Sequence, residues 1–357
     1  MSAAAVLGRR ARAKPARSRG RQPAWAHFDD ERLLDLRLCD LGLRLEHTPL
    51  VALVERLHAE LAARRLRFRP HCWLSSEWFS PDGVPGIAIP FYLAHPRLAR
   101  LERSRMHALE GGSVEACMKL LRHEAGHALD SAYRLHDRKS WRDMFGAFST
   151  PYSAHYRPQP YSREYVQHLP HWYAQSHPAE DFAETFAVWL PAGAQWKRRY
   201  RGWPALLKLE HVERTIASIA GSPPRVACRE RTEHLGTLEI TLRDYYRDKR
   251  TRYAKRFPYA FDRDLRRMFS RALPGDRRHS AAAFLREQRT EMLARIARWS
   301  GEHSYTIDQV LRDMIARARE LHLVVDARTT SAKLDAAILL AVHTMNYLHT
   351  GYHRLAR

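Results

Sequence analysis

Between Gly112 and Arg134 the chain reads GSVEACMKLLRHEAGHALDSAYR, and no other stretch so narrowly limits what it can fold into. Val114, Cys117, Met118, Leu121, Ala125 and Leu129 recur at three- and four-residue intervals, the spacing of a helix with one buried stripe, and Ser113 stands where an N-cap is needed. Inside this helix lies His123-Glu124-Ala125-Gly126-His127. Imidazoles at i and i+4 project from one face with Cβ atoms roughly 5–6 Å apart. That separation lets two ring nitrogens converge on one Zn²⁺ at about 2.0 Å. Glu124, turned about 100° round the helix from His123, is poorly placed as a ligand but can reach a water on the metal, the position of a general base. The pentapeptide alone also fits a helix with a solvated His-Glu-His edge.

A catalytic zinc needs a third protein ligand and an open fourth position. Residues 178–190 read as a short helix stopped by Pro191 and Gly193, and they contain Glu180-Asp181-Phe182-Ala183-Glu184. Glu180 and Glu184 share a face one turn apart, while Phe182, Phe186 and Trp189 can bury another. The pattern leaves open whether Glu180, Asp181 or Glu184 would bind metal. Asp130, three residues beyond His127, could orient an imidazole or serve in a capping or solvated role.

Residues 112–134 and 173–190 together resemble the gluzincin metallopeptidases, in particular bacterial zinc-binding metallopeptidases whose second motif is similar to YAQSHPAEDFAETFAVWL. Anthrax lethal factor is a more distant relative by the same comparison. There the ligand glutamate is followed four residues later by another acid and preceded seven residues earlier by a catalytic tyrosine, and both offsets occur here. The resemblance implies Zn²⁺ as cofactor, with His123 and His127 joined by Glu180 as third ligand. It also implies Glu184 as the carboxylate orienting a ligand imidazole and Tyr173 as the donor to the transition state. Thermolysin-like members commonly carry an Asp four residues after the second His, where this chain has Ser131. The implied activity is zinc-dependent hydrolysis of amide bonds in a peptide or protein substrate, with Glu124 as base, and with an extended peptide added along the edge of a strand at Gly86–Leu93.

The remaining sequence sets the frame around these two helices. At 357 residues and 45% hydrophobic, the chain can hold two or three domains with real cores. Helices are expected over 28–45 and 49–66, strands over 66–75 and 86–93, and further helices over 204–220, 236–256, 280–299, 306–321 and 330–350. Pro85 and Pro90 cannot donate to a ladder, which puts the second strand at an edge. Residues 135–172 read as a long connection rich in aromatics, including Trp141, Phe145, Phe148, Tyr152, Tyr156, Tyr161 and Tyr165, which are candidates to line a substrate groove although core packing is the plainer role for most. Nearby His155, His168, His171 and His177 read mainly as surface or packing residues, with His171, close to Tyr173 in sequence, a candidate for assisting substrate or oxyanion binding. The expected class is α+β: a zincin-like domain with a small sheet and an active-site helix over 25–222, preceded by a disordered basic tail over 1–24 and followed by an all-α basic domain over 223–357.

Net charge is +21, from 60 basic and 39 acidic side chains. Seven basic residues and no acid fall in the tail, and residues 225–357 hold 27 basic against 16 acidic. An anionic partner, if present, would meet those two regions. The alternative function is accordingly a non-hydrolytic metal-binding interaction protein whose basic helices, such as Arg243–Arg256 with its tyrosines, grip nucleic acid or an acidic protein. Cys39, Cys72, Cys117 and Cys228 lack CxxC spacing, which argues against a disulfide framework or a thiolate zinc site and suits a cytoplasmic location. No apolar run approaches the roughly 18 residues of a membrane-spanning helix.

Overall fold

A computed structural model of the protein describes residues 22–152, 159, 162–253, 261–273, 275–325 and 329–355. Residues 1–21 of the basic tail lie outside the described residues, as do His155, Tyr156, Tyr161 and the side chain of His171. The chain is mostly helical with two small two-stranded sheets, consistent with α+β.

The motif helix runs Val114–Tyr133, and Ser113 caps it, its Oγ accepting the Ala116 N–H at 3.1 Å. Cys117, Met118, Leu121, Ala125 and Leu129 are buried as their spacing requires. Val114 is instead 58% exposed, because the first turn stands clear of the core that the rest of the helix enters. The second-motif helix, Pro178–Trp189, packs across it so closely that a Cβ on Gly126 would lie 2.8 Å from the Ala183 Cα. The Gly of the HExxH segment is therefore demanded by helix–helix approach. The far end of the second helix is closed by Arg64, whose guanidinium donates to the carbonyls of Trp189, Leu190 and Pro191 at 2.8, 3.0 and 3.1 Å. Those carbonyls have no partner within the helix, and a cation there also opposes the negative end of its dipole.

Strand β1, His71–Ser75, pairs in parallel with β2, Gly86–Pro90, His71 standing opposite Gly86. The expected open edge for peptide addition is not present at the centre of β2. All five residues are buried, and besides its pairing with β1 the strand is bridged by Phe79, whose carbonyl accepts the Ala88 N–H at 2.8 Å. The short segment leading to Ser80 thus covers the strand that sequence pattern left at the rim.

Two hydrophobic clusters form. One gathers residues from Trp25 to Tyr246, with Tyr305, around the motif helix, and the other gathers residues from Phe261 to Leu340 between the helices that follow. The helix Leu242–Tyr253 belongs with the first cluster: Tyr245 and Tyr246 are buried in it, and the buried Lys249 Nζ lies 3.0 Å from Glu102 Oε1 and 3.2 Å from Glu77 Oε2. On its outer side Arg243 pairs with Glu31 and Asp35, and Arg247 with Asp244. Buried tyrosines offer no face to a base, so Tyr245 and Tyr246 cannot help this helix grip nucleic acid by stacking. Among the described residues no helix is long and apolar enough to cross a membrane.

Candidate metal centre

The two helices bring three ligand atoms to one place. His123 Nε2, His127 Nε2 and Glu180 Oε2 form a triangle whose sides are each 3.1 Å. A point about 2.0–2.2 Å from all three lies just off the plane of that triangle, which is where a tetrahedral zinc held by two imidazoles and a carboxylate has its protein ligands. His123 and Glu180 are buried and His127 is half-buried. Two neutral imidazoles and one carboxylate are a donor set that Zn²⁺ accepts in catalytic sites.

The surrounding bonds fix which atoms point inward. His123 Nδ1 donates to Glu184 Oε1 at 2.8 Å, and the other oxygen of Glu184 accepts the Leu169 N–H at 2.8 Å. With Nδ1 carrying the proton, the Nε2 lone pair faces the triangle. Electrostatics favour a cation there. Burial opposes charge on His123, but the hydrogen bonds with Glu180 and Glu184 outweigh it and hold its pKa well above the ordinary value; His127 moves the same way through burial opposed by Glu180. Glu180 is held far below the usual carboxylate range by the two imidazoles in spite of its burial. A positive charge, whether proton or metal ion, relieves all three groups.

The three acids differ in where their side chains point. Glu180 joins the triangle and Glu184 stands behind His123. Asp181 faces away, its Oδ2 2.6 Å from Lys208 Nζ, and burial pushes its pKa up to about 7. Asp130 does not reach an imidazole of the triangle either: its oxygens take the His136 N–H at 2.9 Å and His136 Nδ1 at 2.5 Å, closing the turn after the helix. Exchanging Glu184 for Ala is therefore expected to weaken zinc binding by about 10- to 100-fold, the usual effect of removing a carboxylate behind a ligand imidazole. Asp181→Asn should leave zinc affinity unchanged. Competition with a colourimetric chelator measures both, and equal loss in the two variants would contradict the assignment.

A cleft of about 790 Å³ reaches the triad at His123 and is lined also by Trp78, Glu110, Glu124, Leu169 and Tyr173. Tyr173 lies in the turn Pro170–Gln175, its ring centroid 5.6 Å from that of His123, just after Trp172 in the left-handed region at φ +53°. Residues 101–196 match the model of a family described as "Putative zinc-binding metallo-peptidase". No curated protein and no solved structure matches the chain. The matched span holds the whole triad together with Glu124, Tyr173 and Glu184.

Other candidates have plainer roles. His177 is the N-cap of the second-motif helix, and His168 Nε2 bonds the Lys119 carbonyl. Trp141 and Phe145 pack on Phe182, with ring centroids 5.9 and 5.5 Å away. Two residues named above have roles at the site that the sequence reading did not assign. Gly126 had a signal, an isolated Gly inside a helical pattern, which costs about 1 kcal/mol relative to Ala and so points to a packing demand. Tyr152, whose hydroxyl reaches Glu180, had none.

Proposed function

We propose that the protein is a zinc-dependent metallopeptidase of the gluzincin type, distantly similar to anthrax lethal factor, that hydrolyses peptide bonds by general-base catalysis. The observation that carries this reading is the triangle of His123, His127 and Glu180, whose three sides measure 3.1 Å and whose His123 lines a cleft large enough for a stretch of peptide. Zinc bound there would supply a Lewis acid for the scissile carbonyl and a water of lowered pKa.

The chain's own groups do the rest. Glu124 takes the proton of the attacking water and returns it to the leaving amine. Tyr173, which also lines the cleft, donates to the oxygen that gains negative charge as the carbonyl carbon becomes tetrahedral. Glu184 holds the His123 ring in the required tautomer, and Glu180 balances charge at the centre. The proposed organisation is a zincin-like domain over 25–222 and a helical domain over 223–357, with the first helix of the latter, Leu242–Tyr253, locked against the catalytic unit by Lys249. The cytoplasm is the proposed compartment, on the spacing of the cysteines.

The test is a mass-spectrometric cleavage profile of a broad peptide library. Chelator-sensitive cleavage that returns on adding zinc is expected, whereas identical digests with and without chelator would remove the reading.

A further inference from the structure

Tyr152 belongs to neither motif, yet its hydroxyl donates to Glu180 Oε1 at 2.8 Å. That is the oxygen turned away from the imidazoles, since both stand 3.1 Å from Oε2. The Tyr152 ring lies almost parallel on His177, with centroids 3.8 Å and planes 12° apart. His177 is itself held at both nitrogens. Its Nδ1 accepts the Ala179 N–H at 3.1 Å, capping the helix that carries Glu180, and its Nε2 donates to the Thr150 carbonyl at 2.6 Å. Thr150 holds His177, His177 carries the Tyr152 ring, and Tyr152 holds Glu180. The clasp is thus closed at the N-terminus of the second-motif helix.

A carboxylate with both oxygens free can swing between one- and two-oxygen coordination, and the second oxygen then occupies a place that a catalytic metal must keep open. From this geometry we infer that Tyr152 is a positioning residue for the centre: by engaging Oε1 it confines Glu180 to coordination through Oε2 and keeps a position free for water and substrate. The inference rests on the metallopeptidase reading above. It also separates the two tyrosines of the site. Tyr152 acts on a ligand, whereas Tyr173 faces the cleft.

Tyr152→Phe retains the ring and its stack on His177 and removes the one hydroxyl. Chelator-competition titration of the full chain is expected to show zinc bound about 10- to 100-fold more weakly than in the wild type, while thermal unfolding of the zinc-free protein is unchanged. Tyr173→Phe should bind zinc as the wild type does. In the cobalt-substituted protein, Tyr152→Phe should shift the visible bands from four- toward five-coordinate absorption, a change that a merely structural role would not produce. Wild-type zinc affinity together with an unaltered cobalt spectrum in Tyr152→Phe would overturn the inference and leave the metallopeptidase reading, tested at Glu124, standing. A wild-type chain that takes up no zinc would end both.

Discussion

Glu124→Gln is expected to keep one zinc per chain and to lose peptide hydrolysis by about 10²- to 10⁴-fold in kcat, the usual contribution of a positioned general acid–base group. The carboxamide fills the same space but cannot accept the proton of a water. Glu124 lies outside the His123–His127–Glu180 triangle and is almost wholly buried at the wall of the cleft. Its backbone is anchored independently of the carboxylate, because its carbonyl accepts the Ser80 hydroxyl at 3.0 Å. The substitution therefore separates binding of the ion from use of it. Zinc content by atomic absorption, read beside cleavage of the best library peptide, makes the comparison. Undiminished cleavage in Glu124→Gln would assign the base to another group.

Gly126→Ala should be more damaging to structure than any other single-methyl change in the motif helix. Alanine is the better helix former by about 1 kcal/mol, which on its own would stabilise the protein. Against this, the new Cβ would stand 2.8 Å from the Cα and 3.2 Å from the carbonyl oxygen of Ala183, and backbone atoms cannot rotate away as a side chain does. Overpacking of that kind costs about 1–3 kcal/mol, so the clash outweighs the propensity gain. Because Ala183 lies between Glu180 and Glu184, any separation of the two helices also pulls the carboxylates from the imidazoles. Lower thermal stability and weaker zinc binding are thus expected together. A second substitution, Ala183→Gly, removes only the methyl contact at 3.2 Å and should restore little. Stability equal to or above that of the wild type in Gly126→Ala would show that the helices do not cross as described.

What the sequence made readable was set by regular spacing. Imidazoles at i and i+4, an N-cap serine and two glutamates one turn apart follow from helical period, and His123, His127 and Glu180 do converge. Helical spacing alone left open the choice among Glu180, Asp181 and Glu184, because their orientations depend on partners distant in sequence: Lys208 draws Asp181 away, and Leu169 and His123 hold Glu184. Irregular backbone hid the rest. Phe79 closes on β2 from a segment without strand pattern, and Tyr152 reaches Glu180 from a connection with no period to read. That same connection conceals a short helix, Lys139–Phe145, whose Trp141 and Phe145 are buried against Phe182. The expected helix over 280–299 breaks at Gln288 into Ala281–Glu287 and Arg289–Ser300, and no proline or glycine marks the break.

Zinc-edge anomalous diffraction from crystals of the zinc-loaded protein tests most directly whether these two helices share one cation. The expected result is a single peak about 2.0–2.2 Å from His123 Nε2, His127 Nε2 and Glu180 Oε2. A peak held by other residues, or by the two imidazoles with Glu180 turned away, would contradict it.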